Sequence, residues 1–64
     1  MNKWVKVHGL GTPVMVNLDN VATVQRQNND NGNNAVIRFI GETQNYTTDE
    51  SFSEVMEMIW QSEN

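Results

Sequence analysis

The chain has 64 residues, no cysteine, one histidine and a formal net charge of −4. That length makes one domain, whose folding hides only about 60% of the unfolded surface, and domains this small usually draw stability from disulfides, a metal or a second subunit. Lack of cysteine excludes disulfides, zinc knuckles, iron–sulfur clusters and thiol catalysis, and a single histidine, His8, excludes a histidine-rich metal site. Eight acids against four bases argue against routine binding to nucleic acid or anionic membrane. No apolar run approaches the roughly 20 residues of a membrane span, and no long apolar segment follows Lys3 as in a secretory signal. A cytoplasmic location is expected.

Trp4-Val5-Lys6-Val7-His8 alternates, with Val5 and Val7 on one side and Trp4, Lys6 and His8 on the other. Period two predicts a strand over 4–8. Gly9-Leu10-Gly11-Thr12-Pro13 is turn-rich, and a second strand over 13–18 puts Val14, Val16 and Leu18 on one face. The two form a hairpin with a loop of about four or five residues. Asp19-Asn20 suits an Asx turn, and a third strand follows over 21–27, opening with a tight turn. Asn28 to Asn34 is a polar loop containing Asn31-Gly32, a pair that favours left-handed turn geometry. A fourth strand is predicted over 35–40, a reversal at Gly41-Glu42, and a fifth strand over 43–48 with Tyr46 as its one large residue. Connections this short cannot make a parallel crossover, so the strands are antiparallel.

A helix is predicted over 51–62. Ser51 and Glu54 have the spacing of a capping box, and Phe52, Val55, Met56 and Ile59 make an apolar stripe. Trp60 lies at the edge of that stripe and Met58 outside it, while Asp49, Glu50 and Glu54 crowd the helix start, where the dipole favours acids. The fold class is therefore α+β: about five short antiparallel strands in a curved sheet or small barrel, with one C-terminal helix packed on it. One helix of about three turns cannot cover both faces of such a sheet. Trp4, Met15, Val36, Ile40 and Met58 are left as candidates for uncovered apolar surface, which a closed barrel or a homodimer would bury.

No set of residues builds an enzyme site. His8 with Asp19, Glu42 or Asp49 offers an acid–base pair, against the plainer reading of an exposed histidine at a strand end. Ser51 and Ser53 lie in the capping box. Gly9-Leu10-Gly11 leads into a strand and so lacks the helix N-terminus of a phosphate cradle. The Asn28–Asn34 loop has the oxygen-bearing side chains of a calcium loop but only one acid, and no glutamate at the closing position. An exposed hairpin loop is the expectation there. Asn45-Tyr46-Thr47 matches a glycosylation sequon by chance. No catalytic, cofactor-binding or metal residue is assigned.

Charge is more informative. The first 38 residues hold all four bases beside two acids, and the last 26 hold six acids and no base. Trp4, Lys3 and Lys6 offer a small nucleic-acid patch; the acidic helix offers either a docking face for a basic partner or a solvated surface. Trp60 is expected at the core edge, whereas Trp4 fits core and interface equally well. The interface candidates are Trp4, Met15 and Met58, with Lys6 and Glu57 at the rim, in a symmetric dimer formed through the strand carrying Trp4 or its sheet face.

Val16-Asn17-Leu18-Asp19-Asn20-Val21-Ala22-Thr23-Val24 resembles the hydrophobic–Asn–x–Asp–x–Ile–x–x–Ile segment of the small FlbD-like family of flagellar and swarming-motility proteins. Tyr46 to Val55 is similar to that family's closing segment, and the likeness spans about residues 4 to 60. The first hairpin lacks the family's Thr and Asn-Gly, and the Asn-rich loop is longer. The resemblance implies a β-rich fold ending in a capped helix, and it supplies no catalytic residue. Similar β-rich chains occur among phage and bacterial proteins, and the C-terminal part of LytTR DNA-binding domains is distantly alike. The expected function is a small non-enzymatic protein-interaction module that is homo-oligomeric. The alternatives are a phage-type accessory or anti-defence protein binding a small ligand or nucleotide at a subunit interface, and a LytTR-like nucleic-acid binder.

Overall fold

A two-residue turn closes the first hairpin in the computed structural model, which describes residues 3–27 and 32–63. Strands β1 (Trp4–Gly9) and β2 (Thr12–Asn17) pair antiparallel from Trp4↔Asn17 to Gly9↔Thr12. The expected longer loop is thus replaced by Leu10-Gly11 alone, and β2 starts at Thr12. Both turn residues have positive φ, 52° at Leu10 and 80° at Gly11. Only the primed turns match strand twist over so short a loop, and a type I′ turn needs that sign at both positions. Closure on Gly9↔Thr12 puts His8↔Pro13 at a non-hydrogen-bonded position. Pro13, which has no N–H, therefore costs the ladder nothing. Val5, Val7, Val14 and Val16 turn inward, and Trp4, Lys6, His8, Pro13 and Met15 share the outer face.

Leu18–Asn20 forms a 3-10 turn capped by Asn17, whose side chain accepts the Asp19 amide at 3.0 Å. The Asx turn expected from Asp19-Asn20 therefore belongs to Asn17, two residues before Asp19. Strands β3 (Val21–Arg26), β4 (Asn34–Phe39) and β5 (Asn45–Ser51) make an antiparallel sheet in the order β3-β4-β5. Register shifts between Val21 and Thr23, and this bulge lets Val21 and Val24 both reach the core, which strict alternation forbids. Strand β5 begins and ends later than the expected 43–48, because pairing resumes at Asn34↔Ser51 after an irregularity. Asp49 and Glu50 accordingly belong to the strand and not to the helix start. The expected Asn28–Asn34 loop falls largely on residues 28–31, outside the described residues.

Helix α1 (Phe52–Glu63) starts as the capping box requires. The Glu54 amide donates to Ser51 Oγ at 3.1 Å, and the Ser51 amide to Glu54 Oε1 at 3.3 Å. The Phe52 amide, another donor that a helix start leaves open, goes to the Asn33 carbonyl at 2.7 Å. The helix packs against β1, β3, β4 and β5. Its inward stripe is rotated from the expected one: Val55 is fully buried, Met58 and Ile59 pack on the core, and Met56 is exposed. The core consists of Val5, Val7, Val16, Ala35, Ile37 and Val55.

The strands form a two-stranded and a three-stranded sheet, neither one continuous curved sheet nor a closed barrel. At the seam between β1 and β5, side chains on β5 take the amides of the hairpin, as described next.

Candidate interaction surface

The β5 irregularity builds this seam. Between Val36↔Thr47 and Asn34↔Ser51, β5 carries two residues more than β4, and side chains replace the lost ladder. Thr48 Oγ1, buried, donates at 3.1 Å toward the carbonyls of Ala35 and Glu50, while Asn34 Nδ2 donates to the Thr48 carbonyl at 2.7 Å. A bulge re-aims the side chains around it, and here the carboxylates of Asp49 and Glu50 meet the hairpin.

Asp49 accepts the Leu10 amide at 3.2 Å and the Gly11 amide at 2.7 Å, so one carboxylate holds both central residues of the turn. Glu50 Oε1 accepts the His8 amide at 2.8 Å, and its Oε2 lies 2.6 Å from His8 Nδ1. A carboxylate only accepts, so the His8 ring carries its proton on Nδ1. Burial works to raise the Glu50 carboxyl. The hydrogen bonds from the His8 ring and amide and from its own backbone, with the electrostatic attraction of His8, hold it below its ordinary value of 4.5. Sequence reasoning pairs His8 with Asp19, Glu42 or Asp49; its partner is Glu50, and the pair clasps two sheets together.

The same clasp fixes the outer face of the hairpin. Trp4 is 48% exposed and Met15 56% exposed. They lie diagonally across β1 and β2, with Lys6 directly opposite Met15 and His8 opposite Pro13. Diagonal neighbours on one sheet face are within reach of long side chains, so an aromatic, a thioether and an ammonium share one patch. Two of the three interface candidates, Trp4 and Met15, are thus brought together with the rim residue Lys6. Met58 is not among them. It is half-buried against the core, because the helix meets the sheets through the flank that carries it.

A second apolar patch lies on the outer side of α1. Met56 is 39% exposed and Trp60 65% exposed, one turn apart, with Glu57 flanking Trp60 three residues before it on the helix surface. Trp60 is therefore surface and not the expected core edge. Gln61 Nε2 donates to Glu57 Oε1 at 3.0 Å and orients that carboxylate.

Two clefts are lined by described residues. One of about 340 Å³ is lined by Arg26, Asn33, Ser51, Phe52 and Ser53, and the other of about 260 Å³ by Phe39, Glu42, Gln44, Asn45 and Tyr46. Ser51 is already committed to the helix cap. The described residues hold no group of three or more His, Asp or Glu placed for a metal ion, and none of their helices is long and apolar enough to cross a membrane. The roles of Asp49, Glu50 and Leu10 escape sequence reasoning. A two-residue turn leaves amides that need an acceptor, but nothing local names Asp49 as its source. No family model matches this chain, and no curated protein and no solved structure matches it.

Proposed function

We propose that this chain is a non-enzymatic protein-interaction module that self-associates through the outer face of its hairpin. The observation that carries this reading is the pairing of Trp4 and Met15, both about half exposed, on one sheet face beside Lys6. Single exposed apolar residues are ordinary, whereas a contiguous apolar patch rimmed by charge marks an interaction site. Tryptophan is the residue type most enriched at the anchors of such surfaces. Six buried apolar residues among those described also leave stability to be gained, and association supplies it by mass action.

Sedimentation at micromolar concentration tests the reading. The wild type is expected to sediment as an assembly, and Trp4→Ala as a species shifted toward monomer. A wild type that sediments as a monomer with full thermal stability overturns it. A nucleotide found bound to the purified protein would move the function to the ligand-binding class, and steep salt dependence of binding to DNA would move it to nucleic-acid binding.

A further inference from the structure

Strand β1 stands between two surfaces. Its Val5 and Val7 face the core and the helix, while Trp4 and Lys6 point away. Helix α1 closes the other side of that core with Val55, Met58 and Ile59, which turns Met56, Glu57 and Trp60 outward. These two apolar patches therefore lie on opposite sides of the same layers.

The patches are also complementary. The hairpin patch sets Trp4 and Met15 beside a cation, Lys6; the helix patch sets Met56 and Trp60 beside an anion, Glu57, with its carboxylate oriented by Gln61. This repeats locally the division of charge along the chain, with all four bases in the first 38 residues and six of eight acids in the last 26. Two hairpin patches packed about a twofold axis would bring Lys6 toward its own copy and leave the helix patch in water. A hairpin patch packed on a helix patch joins opposite charges and covers both apolar surfaces.

We infer that copies of this chain assemble head to tail, the outer hairpin face of one seated on the outer helix face of the next, with Lys6 of one protomer facing Glu57 of its neighbour. The inference rests on the self-association proposed above and names its partner surface. Contacts between different patches on opposite sides do not close at two subunits; they give a ring when the rotation closes and a filament when it does not.

Charge reversal at exposed positions tests this without touching the core. Lys6→Glu and Glu57→Lys are each expected to keep the wild-type circular dichroism spectrum and to raise the concentration needed for assembly at least about tenfold, since like charges then meet at the contact. An equimolar mixture of the two variants is expected to recover assembly. The altered hairpin of the first meets the altered helix of the second, and the native surfaces meet in the other direction. Wild-type protein is expected to reach species larger than a dimer as its concentration rises. Association that stops at a dimer, or that responds to Lys6→Glu but not to Glu57→Lys, overturns the head-to-tail arrangement and leaves self-association standing. A mixture that stays dissociated overturns the arrangement as well. A monomeric wild type overturns both.

Discussion

The hydroxyl of Tyr46 on β5 occupies the space in which a side chain on Gly9 of β1 would begin, and the ring carbons Cζ and Cε1 lie 2.8 and 3.3 Å from that point. Glycine at position 9 is thus required by close approach across the seam. Gly9→Ala must push the Tyr46 ring out of its packing against the core, an overpacking that costs about 1–3 kcal/mol. Adding Tyr46→Phe removes the atom in deepest conflict and leaves the ring, so it is expected to recover part of that loss. Urea unfolding of the two single variants and the double variant measures the coupling. A Gly9→Ala protein as stable as wild type would show that Tyr46 swings aside freely.

The Glu50 clasp has a defined pH signature. Its carboxyl is held below the ordinary value of 4.5 in the folded state, so its contribution to stability is fully present above that unfolded value and is lost as pH falls through the folded one. The stability difference between wild type and Glu50→Gln is therefore expected to shrink as pH falls below the ordinary carboxylate range. Removing the His8 ring leaves burial acting against fewer hydrogen bonds, so His8→Ala is expected to raise the Glu50 pKa. Carboxyl chemical shifts followed by NMR titration read both effects. A Glu50 that titrates at 4.5 or above in the wild type would refute the clasp.

What was legible in the sequence is what depends on neighbours a few residues apart. Ser51 and Glu54 define the cap by spacing alone, and alternation separates Val5 and Val7 from Trp4, Lys6 and His8 on β1. The rest depends on distant partners. Nothing near Leu10 favours positive φ at a leucine; the acceptor that holds the turn, Asp49, lies in another sheet. The bulges in β3 and β5 break the period on which alternation relies, so Asp49 and Glu50, which look like acids placed for a helix dipole, become strand residues facing a hairpin. Met56 and Met58 flank the same buried Val55. Two side chains of equal apolarity give no sign of which flank the sheet will meet, and the interface residue expected at Met58 is spent on the core.

Leu10 carries a removable cost. At φ 52° its Cβ crowds the backbone, a penalty of roughly 1–2 kcal/mol for an ordinary L-residue, and its side chain is 98% exposed, with almost no burial in return. Asparagine tolerates this conformation and is favoured at the first central position of a type I′ turn. Leu10→Asn is expected to stabilise the protein by about 0.5–1 kcal/mol, because both backbone bonds to Asp49 remain. Asp49→Ala removes the acceptor of both turn amides and is expected to destabilise. Thermal unfolding of the two variants tests the pair. A less stable Leu10→Asn would mean that the leucine side chain contributes to the fold through contacts outweighing its backbone penalty.

The rotation of α1 separates residues that its sequence pattern groups together. Val55 is fully buried, while Met56 beside it is exposed. Val55→Ala removes two methyl groups from a closed site and is expected to cost about 2 kcal/mol, from lost burial plus the cavity left behind. Met56→Ala is expected to stay within about 0.5 kcal/mol, as for other surface substitutions. Ser51→Ala leaves the Glu54 amide without its cap and is expected to cost about 0.5–2 kcal/mol. The three belong in denaturant titrations at a protein concentration low enough that self-association adds nothing, since Met56 lies on the proposed contact. Reversed ranks for Val55 and Met56 would mean that the helix meets the sheets through the opposite flank. The outward patch of Met56, Glu57 and Trp60 would then be buried, and the head-to-tail contact would lose its second surface.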